Sequence, residues 1–222
     1  MERLVVSWAT AQPDRLAARL AALGFTLVDR RVVDFPAGQV RLVPLASGRG
    51  PERLLDPRWE PATGESPPRP GHANGVSDIV ALGWATVDAD RASAAPPIYS
   101  AAAFTLLPDD GQLGASVRGC LGRRAAVLLL EPATEGRLAA TLARLGEGPA
   151  ALYLVAGGDG LESFVSAIGA TRGRAEVRPG PLGPALLLPG SPAWGPHLLV
   201  VTPRSDAPGM TPLDRAPGTI SP

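Results

Sequence analysis

The chain has 222 residues and contains no lysine, so its 21 strongly basic side chains are all arginine. Pyridoxal phosphate enzymes and Schiff-base aldolases need a lysine amine, and kinases and phosphate-binding loops place a lysine on the nucleotide. The sequence therefore excludes these mechanisms.

Cysteine and long apolar runs are also scarce. The single cysteine, Cys120, cannot form an internal disulfide, and with no histidine close to it in sequence we interpret it as a small buried hydrophobic residue. The longest wholly apolar runs have about six residues, as at Ala125 to Leu130, whereas a membrane-spanning helix needs about 20. We therefore expect no membrane partner.

An excess of charge of either sign is missing as well. The 21 basic and 21 acidic side chains balance to a formal net charge of zero, which gives nucleic acid no electrostatic reason to bind. The N-terminus, Met1 to Val6, enters a strand directly and lacks the basic and long apolar segments of a signal peptide. We expect a cytoplasmic protein that binds no nucleic acid.

A repeated pattern is the most informative feature that is present. Trp8-Ala9-Thr10 and Asp14-Arg15 recur as Trp84-Ala85-Thr86 and Asp90-Arg91 with the same gap between them. Each copy follows an apolar, strand-like run and precedes a helix-like one, which predicts that the chain is built from copies of one small unit.

The predicted elements follow this repeat. In the first copy, Leu16, Leu20 and Leu23 fall on one face of a helix that starts at Pro13 and ends at Gly24. Thr134 and Asp159 are expected to cap two later helices, and Asp110 falls in a predicted turn at Pro108 to Gly111. The predicted strands are Leu4 to Val6, Phe25 to Val33, Gln39 to Leu45, Ile79 to Ala85, Ala101 to Leu107, Leu113 to Arg118, Ala125 to Leu130, Ala150 to Val155, Arg174 to Arg178, Pro184 to Leu188 and His197 to Thr202.

Composition divides the chain into four parts. Residues 1–46 form an extra strand-helix-strand unit, and the Pro- and Gly-rich stretch 47–77 is predicted to be a linker without a core element. Residues 78–202 are predicted to form a pair of further units, and 203–222 a disordered tail.

One segment points to a family. Leu129-Leu130-Glu131-Pro132, a helix, Gly146-Glu147-Gly148 and the strand Ala150 to Val155 follow one another. This order resembles the segment that joins the two halves of methylmalonyl-CoA epimerase-like members of the vicinal oxygen chelate superfamily, also called glyoxalase-like or bleomycin-resistance-like. The resemblance implies an α+β fold in which repeated βαβββ units form curved mixed sheets around a cleft.

The same resemblance implies where a metal would lie. Enzymes of this family hold a divalent metal with His on the first strand and Glu or Gln on the last strand of each half. The matching positions here carry side chains that do not bind a metal, so we expect no metal and no cofactor. These positions are Ser7 in the extra unit, Gly83 or Trp84, Ala150 or Ala151, Leu128 and Val200.

Five residues are candidates for ligand contact in the cleft. Trp8 and Trp84 stand at matched strand ends, where they either stack on a flat ligand or close the core of their unit. Glu131 and His197 lie near metal-ligand positions of the family, although His197 also suits a structural hydrogen bond. Tyr153, on the strand that opens the third unit, completes the set.

Three functions remain open at this stage. The first is a metal-independent glyoxalase-like protein that binds a small apolar or aromatic molecule; the second is a metal-dependent epimerase, lyase or dioxygenase. The third is a degenerate scaffold whose cleft is filled by its own side chains. Because three units leave one half without an internal partner, we expect the first unit either to pack on the second or to form a homodimer.

Overall fold

A computed structural model describes residues 2–61, 71–94, 103–121, 125–133, 135–158, 160–168, 176–189 and 192–203. The predicted caps Thr134 and Asp159, and the predicted tail from residue 204 onwards, lie outside these residues. No helix within the described ranges has the length and hydropathy that a bilayer crossing requires.

The described part of the chain repeats the order strand, helix and three strands. The first unit and the strand after it comprise β1 (Glu2–Thr10), α1 (Pro13–Ala22), β2 (Leu27–Asp29), β3 (Val32–Asp34), β4 (Gly38–Pro44) and β5 (Arg53–Pro61). The second unit comprises β6 (Val76–Ala85), α2 (Ala89–Ala94), β7 (Thr105–Asp110), β8 (Ala115–Cys120) and β9 (Ala126–Pro132). The connecting helix α3 (Arg137–Leu145) leads to the third unit, with β10 (Gly148–Ala156), α4 (Leu161–Ala167), β11 (Val177–Arg178), β12 (Ala185–Leu187) and β13 (His197–Val201).

The strands of the described ranges form two mixed sheets. The first sheet has the order β2-β3-β4-β1-β5, and the second has the order β11-β12-β13-β10-β6-β9-β8-β7. In each unit the first and last strands are parallel neighbours, and the two strands between them continue outwards in antiparallel pairs. The first strands of the second and third units, β6 and β10, pair antiparallel and join their units into one curled sheet. This arrangement confirms the predicted α+β fold of repeated βαβββ units.

Helix α1 shows how the sequence produces the first unit. Pro13 occupies the first turn, where its missing N–H is not needed. Leu16 and Leu20 lie one turn apart and are buried, as the leucine spacing predicts. Gly24 ends the helix with a φ of 84°, a left-handed conformation that glycine adopts without steric cost.

The structure corrects the prediction that 47–77 has no core element. Strand β5 pairs antiparallel with β1 along most of its length, and Leu54 is buried in the core. The sequence pattern did not predict β5, because Asp56, Pro57 and the charged residues of this strand are of types that are rare in central strands. They are tolerated here because, within the described residues, no strand pairs with the other edge of β5.

The predicted turn at Pro108 to Gly111 is also displaced. Strand β7 continues to Asp110, and the turn follows it at residues 111–114. The reason is local: a side-chain oxygen of Asp110 accepts the backbone N–H groups of Gln112 and Leu113 and so closes the turn one step later.

The first unit packs inside the chain. One apolar cluster joins Trp8 and Leu20 of this unit to Leu152 and Leu198 of the second sheet. A second cluster lies on the other face of the second sheet and includes Leu128 and Tyr153. Of the two alternatives for the first unit, internal packing is therefore what the structure shows.

Substitution of Leu54 tests the assignment of β5 to the core. Leu54 is 2% exposed, so Leu54→Ala is expected to lower the free energy of unfolding by about 2–4 kcal/mol in a urea titration. The control Leu106→Ala removes the same atoms from a side chain that is 73% exposed and is expected to change it by less than about 0.5 kcal/mol. Similar small effects of both substitutions would mean that β5 is not part of the core.

Candidate functional site

The candidate cleft lies on the face of the second sheet that carries Tyr153. Gly83 of β6 is directly opposite Leu128 of β9 and Ala151 of β10. Residues directly opposite each other point to the same side of a sheet, so these three share a face. His197 joins it because it is directly opposite Ala151, and Tyr153 joins it because it is two residues from Ala151 on β10. We call this surface the Tyr153 face.

The Tyr153 face is filled by the protein's own side chains. Leu128, Leu130 and Tyr153 are fully buried. A methyl group added at Gly83 would lie 2.7 Å from Cδ1 of Leu130 and 3.2 Å from Cε2 of Tyr153. Side chains are thus closely packed around Gly83 on this face.

A buried hydrogen bond anchors Tyr153. Its hydroxyl donates to Oδ2 of Asp110 at 2.6 Å, while Oδ1 of Asp110 holds the β7–β8 turn. Burial raises the pKa of Asp110, and it raises the pKa of Tyr153 well above its ordinary value, an effect that the neighbouring Asp110 strengthens. Tyr153 is therefore a neutral donor at physiological pH.

His197 is also buried on this face. Its Nε2 lies 3.0 Å from the Thr141 hydroxyl, which itself donates to the carbonyl of Arg137 in α3. The hydroxyl is therefore left to accept from Nε2–H, so Nδ1 carries the lone pair, and Nδ1 has no hydrogen-bond partner among the described residues. Burial lowers the pKa of His197 to about 4, with a further contribution from the charge of Arg137.

Contacts between opposite ends of the second sheet close this face. The Gln112 amide donates to the carbonyls of Glu176 and Ala185, at 2.6 and 2.8 Å. The Gly111 N–H donates to the carbonyl of Pro179, and the Arg178 guanidinium donates to the carbonyl of Gly111. We call these contacts the clasp, because they join the β7–β8 turn to β11 and β12 at the far edge of the sheet.

Comparison with known proteins gives matches among solved structures only. The sequence matches no family model and no curated protein. Among solved structures, methylmalonyl-CoA epimerase from Mycobacterium tuberculosis shares 18% identity over 59% of this chain and 90% of its own length, with a TM-score of 0.49. A hypothetical protein from Bacillus halodurans shares 17% identity over 59% of this chain and 96% of its own length, with a TM-score of 0.45. A mutant 4-hydroxymandelate synthase from Streptomyces coelicolor shares 15% identity over 89% of this chain and 70% of its own length, with a TM-score of 0.35.

The topology of the units decides the fold, because the parallel first and last strands and the β6–β10 junction are those of paired βαβββ units. The chain has a glyoxalase-like fold.

The residues of the Tyr153 face do not fit the divalent metal of glyoxalase-like enzymes. Gly83, Leu128 and Ala151 stand at three of the predicted ligand positions, and none has a ligating side chain. At the fourth, Val200 lies in the opposite apolar cluster, so Leu199 takes the place on the Tyr153 face. The described ranges contain no group of three or more His, Cys, Asp or Glu side chains that could hold a metal ion.

The structure does not bring the five candidate residues together. Tyr153 and His197 share the Tyr153 face. Trp8 is fully buried beside α1, with the Arg19 guanidinium 5.8 Å from its ring centre. Trp84 is half-buried on the face opposite Gly83, and Glu131 accepts the N–H of Ala89 at the start of α2.

Asp110 and Thr141 are polar residues of this face that sequence reasoning missed. Asp110 lies in a segment whose composition is typical of a turn, and Thr141 lies within a leucine-rich helix, so the local sequence singles out neither residue. The signal that could have found them is the buried partner of each, Tyr153 and His197, and that signal requires the tertiary structure.

Removal of the Tyr153 hydroxyl tests the Asp110 contact. Tyr153→Phe keeps the ring but leaves Oδ2 of Asp110 buried without this donor, so the free energy of unfolding is expected to fall by about 1–3 kcal/mol. Asp110→Asn should cost less in the Tyr153→Phe background than in the wild type, because the contact is already broken. Equal costs in both backgrounds would contradict the interaction.

The buried His197 predicts a pH dependence of stability. Its pKa falls from the ordinary 6.5 to about 4 on folding, so between these values the unfolded chain binds a proton that the folded chain does not. The free energy of unfolding should therefore be unaffected by this group above pH 6.5 and fall by roughly 3 kcal/mol as the pH drops to 4. Urea titrations of wild type and His197→Gln across this range measure the difference, and parallel pH profiles of the two proteins would refute it.

Proposed function

We propose that the paired glyoxalase-like domain is a non-catalytic scaffold whose cleft is filled by its own side chains. The observation that carries this proposal is the buried Tyr153–Asp110 hydrogen bond, which holds the Tyr153 side chain on the face where a ligand would lie. In this proposal the protein acts by associating with another molecule, and its first and second sheets form a single packed unit.

The polar groups of the Tyr153 face support a structural role. Tyr153 is held as a neutral donor, and the low pKa of His197 keeps its ring neutral under physiological conditions. A general base must reach a proton of the substrate directly or through one water, and both side chains are fully buried. Catalysis would require the clasp to open.

Binding of a small apolar or aromatic molecule is the second candidate. A cavity of about 10 Å³ between the first unit and the second sheet favours it, because aromatic and aliphatic side chains line this cavity, Trp8, Phe25 and Phe35 among them. The cavity has the size of one water molecule, so a larger ligand must displace side chains to enter. A cytoplasmic location and a homodimer stay predictions from the sequence.

A thermal-shift screen separates the scaffold from both alternatives. The scaffold predicts that Mn, Fe, Co, Ni and Zn ions, EDTA, and aromatic or acyl compounds shift the melting temperature of the wild type by less than about 1 °C. Saturable stabilisation by an organic compound would favour the binding function, and a stoichiometric metal in the purified protein would favour an enzyme.

A cavity variant provides the matched control for this screen. Tyr153→Ala removes the side chain that fills the cleft and should be stabilised by p-cresol, which replaces the lost ring, whereas the wild type should not respond. Leu128→Ala with benzene repeats the comparison at a second position of the same face. Equal responses of wild type and variants would contradict a cleft that is filled in the native protein.

A further inference from the structure

Strand β5 has the same position relative to the first unit as β10 has relative to the second. Both strands pair antiparallel with the first strand of a unit and in the same register at the end of the repeated motif. The matched pairs are Ala9 with Arg53, Trp8 with Leu54, Ala85 with Gly148 and Trp84 with Pro149.

The same side-chain contact closes both junctions. Thr10 Oγ1 donates to Oε1 of Glu52 at 3.1 Å, and Thr86 Oγ1 donates to Oε1 of Glu147 at 2.7 Å. Each glutamate directly precedes its strand, β5 or β10. The first sheet is therefore built as a glyoxalase-like pair, in which the described residues of the second half contribute the single strand β5.

This equivalence identifies the counterpart of the Tyr153 face in the first sheet. Ser7 is opposite Arg41 as Gly83 is opposite Leu128, and Val5 is opposite Arg58 as Ala81 is opposite Tyr153. Positions that carry glycine, leucine and tyrosine in the second sheet thus carry serine and two arginines in the first. We call this surface of the first sheet the Arg41 face.

A carboxylate already holds the two guanidinium groups of the Arg41 face. Arg58 donates to Oε1 of Glu60 at 2.7 Å, and Arg41 donates to Oε2 of the same carboxylate at 3.4 Å. The Arg41 and Arg58 side chains are 38% and 48% exposed, so their charged ends reach solvent. One negative charge thus faces two positive ones.

The neighbouring ion pair leaves the positive charge of Arg41 and Arg58 in excess over the negative charge of Glu60. Arg3, directly opposite Glu60 on β1, forms an ion pair with Asp34, which balances its charge. The pKa of Glu60 is lowered, mainly by the hydrogen bond from Arg58 and then by the charges of Arg41, Arg58 and Arg3, as expected beside excess positive charge. The planar guanidinium matches a carboxylate through two parallel hydrogen bonds.

We propose that the Arg41 face is a binding site for a small carboxylate-bearing molecule, whose carboxylate takes the place of Glu60 between Arg41 and Arg58. Gln39, which accepts a hydrogen bond from Arg41 at 2.7 Å, holds that guanidinium in place. Ser7 offers a hydroxyl to the rest of the ligand. This site is separate from the filled cleft of the second sheet and does not depend on the proposed scaffold function.

Removal of the internal carboxylate tests this site. Glu60→Gln frees both guanidinium groups, so it should bind succinate at least about threefold more tightly than the wild type, as measured by calorimetry at low ionic strength. Glu60→Gln/Arg41→Gln and Glu60→Gln/Arg58→Gln should lose that gain. The control Glu176→Gln breaks the exposed Arg178 pair on β11 and should leave succinate affinity at the wild-type value.

Three outcomes would overturn the proposal. Glu60→Gln that is folded by circular dichroism but does not gain affinity for succinate would do so, as would an equal gain in Glu176→Gln. Chloride that displaces succinate at equal concentration would show a non-specific charge effect instead of a carboxylate site. The screen of the Tyr153 face is unaffected by any of these results, since its variants lie in the second sheet.

Discussion

Burial of the second sheet on both of its faces is the constraint on which the rest of the structure depends. Strands β6, β10 and β13 are buried along almost their whole length. The first unit and α4 cover one face, and Leu138 of α3, Leu113 and Leu182 help to cover the other. A strand buried on both sides needs apolar residues at successive positions, because each unpartnered buried polar group costs about 1–3 kcal/mol. The missing metal ligands and the internal packing of the first unit therefore have a common physical origin.

The polar side chains that remain on the Tyr153 face obey the same constraint. Asp110 is satisfied by Tyr153 and by the turn that it closes, and His197 is satisfied at Nε2 by Thr141. Burial raises the pKa of Tyr153 and lowers that of His197, so in both cases it favours the neutral form. Groups that have acid–base chemistry in solution thus serve here to fix the positions of α3 and of the β7–β8 turn.

The fold could be predicted from the sequence where periodicity and burial agree. The leucines of α1 and the apolar runs at Ile79 to Ala85 and Ala150 to Val155 predict elements that the structure contains, since each has one or two faces in the core. Strand β5 escaped prediction because an edge strand tolerates Asp56 and Pro57, whose usual meaning is a loop. The orientation of Trp84 escaped it for another reason: a shift of one residue moves a side chain to the other face of a sheet, and no local pattern determines that register.

The two sheets show that the strand junctions and the side-chain chemistry of the sheet faces are separate properties of this fold. The contact of Thr10 with Glu52 stabilises the β1–β5 junction, and that of Thr86 with Glu147 stabilises the equivalent β6–β10 junction. The repeated Trp-Ala-Thr motif marks both junctions in the sequence. Ser7 and Gly83, one position before the motif's tryptophans, belong to faces of opposite character, the first charged and the second apolar.

The exposure of each face explains this difference. In the second sheet the paired units and the clasp exclude solvent, so the equivalent positions are apolar. In the first sheet β5 is the outermost described strand and the charged side chains of the Arg41 face are partly exposed, so they occupy the same positions at a smaller desolvation cost. A repeat found in the sequence therefore identifies where units join, whereas the chemistry of each unit depends on which of its faces the rest of the chain covers.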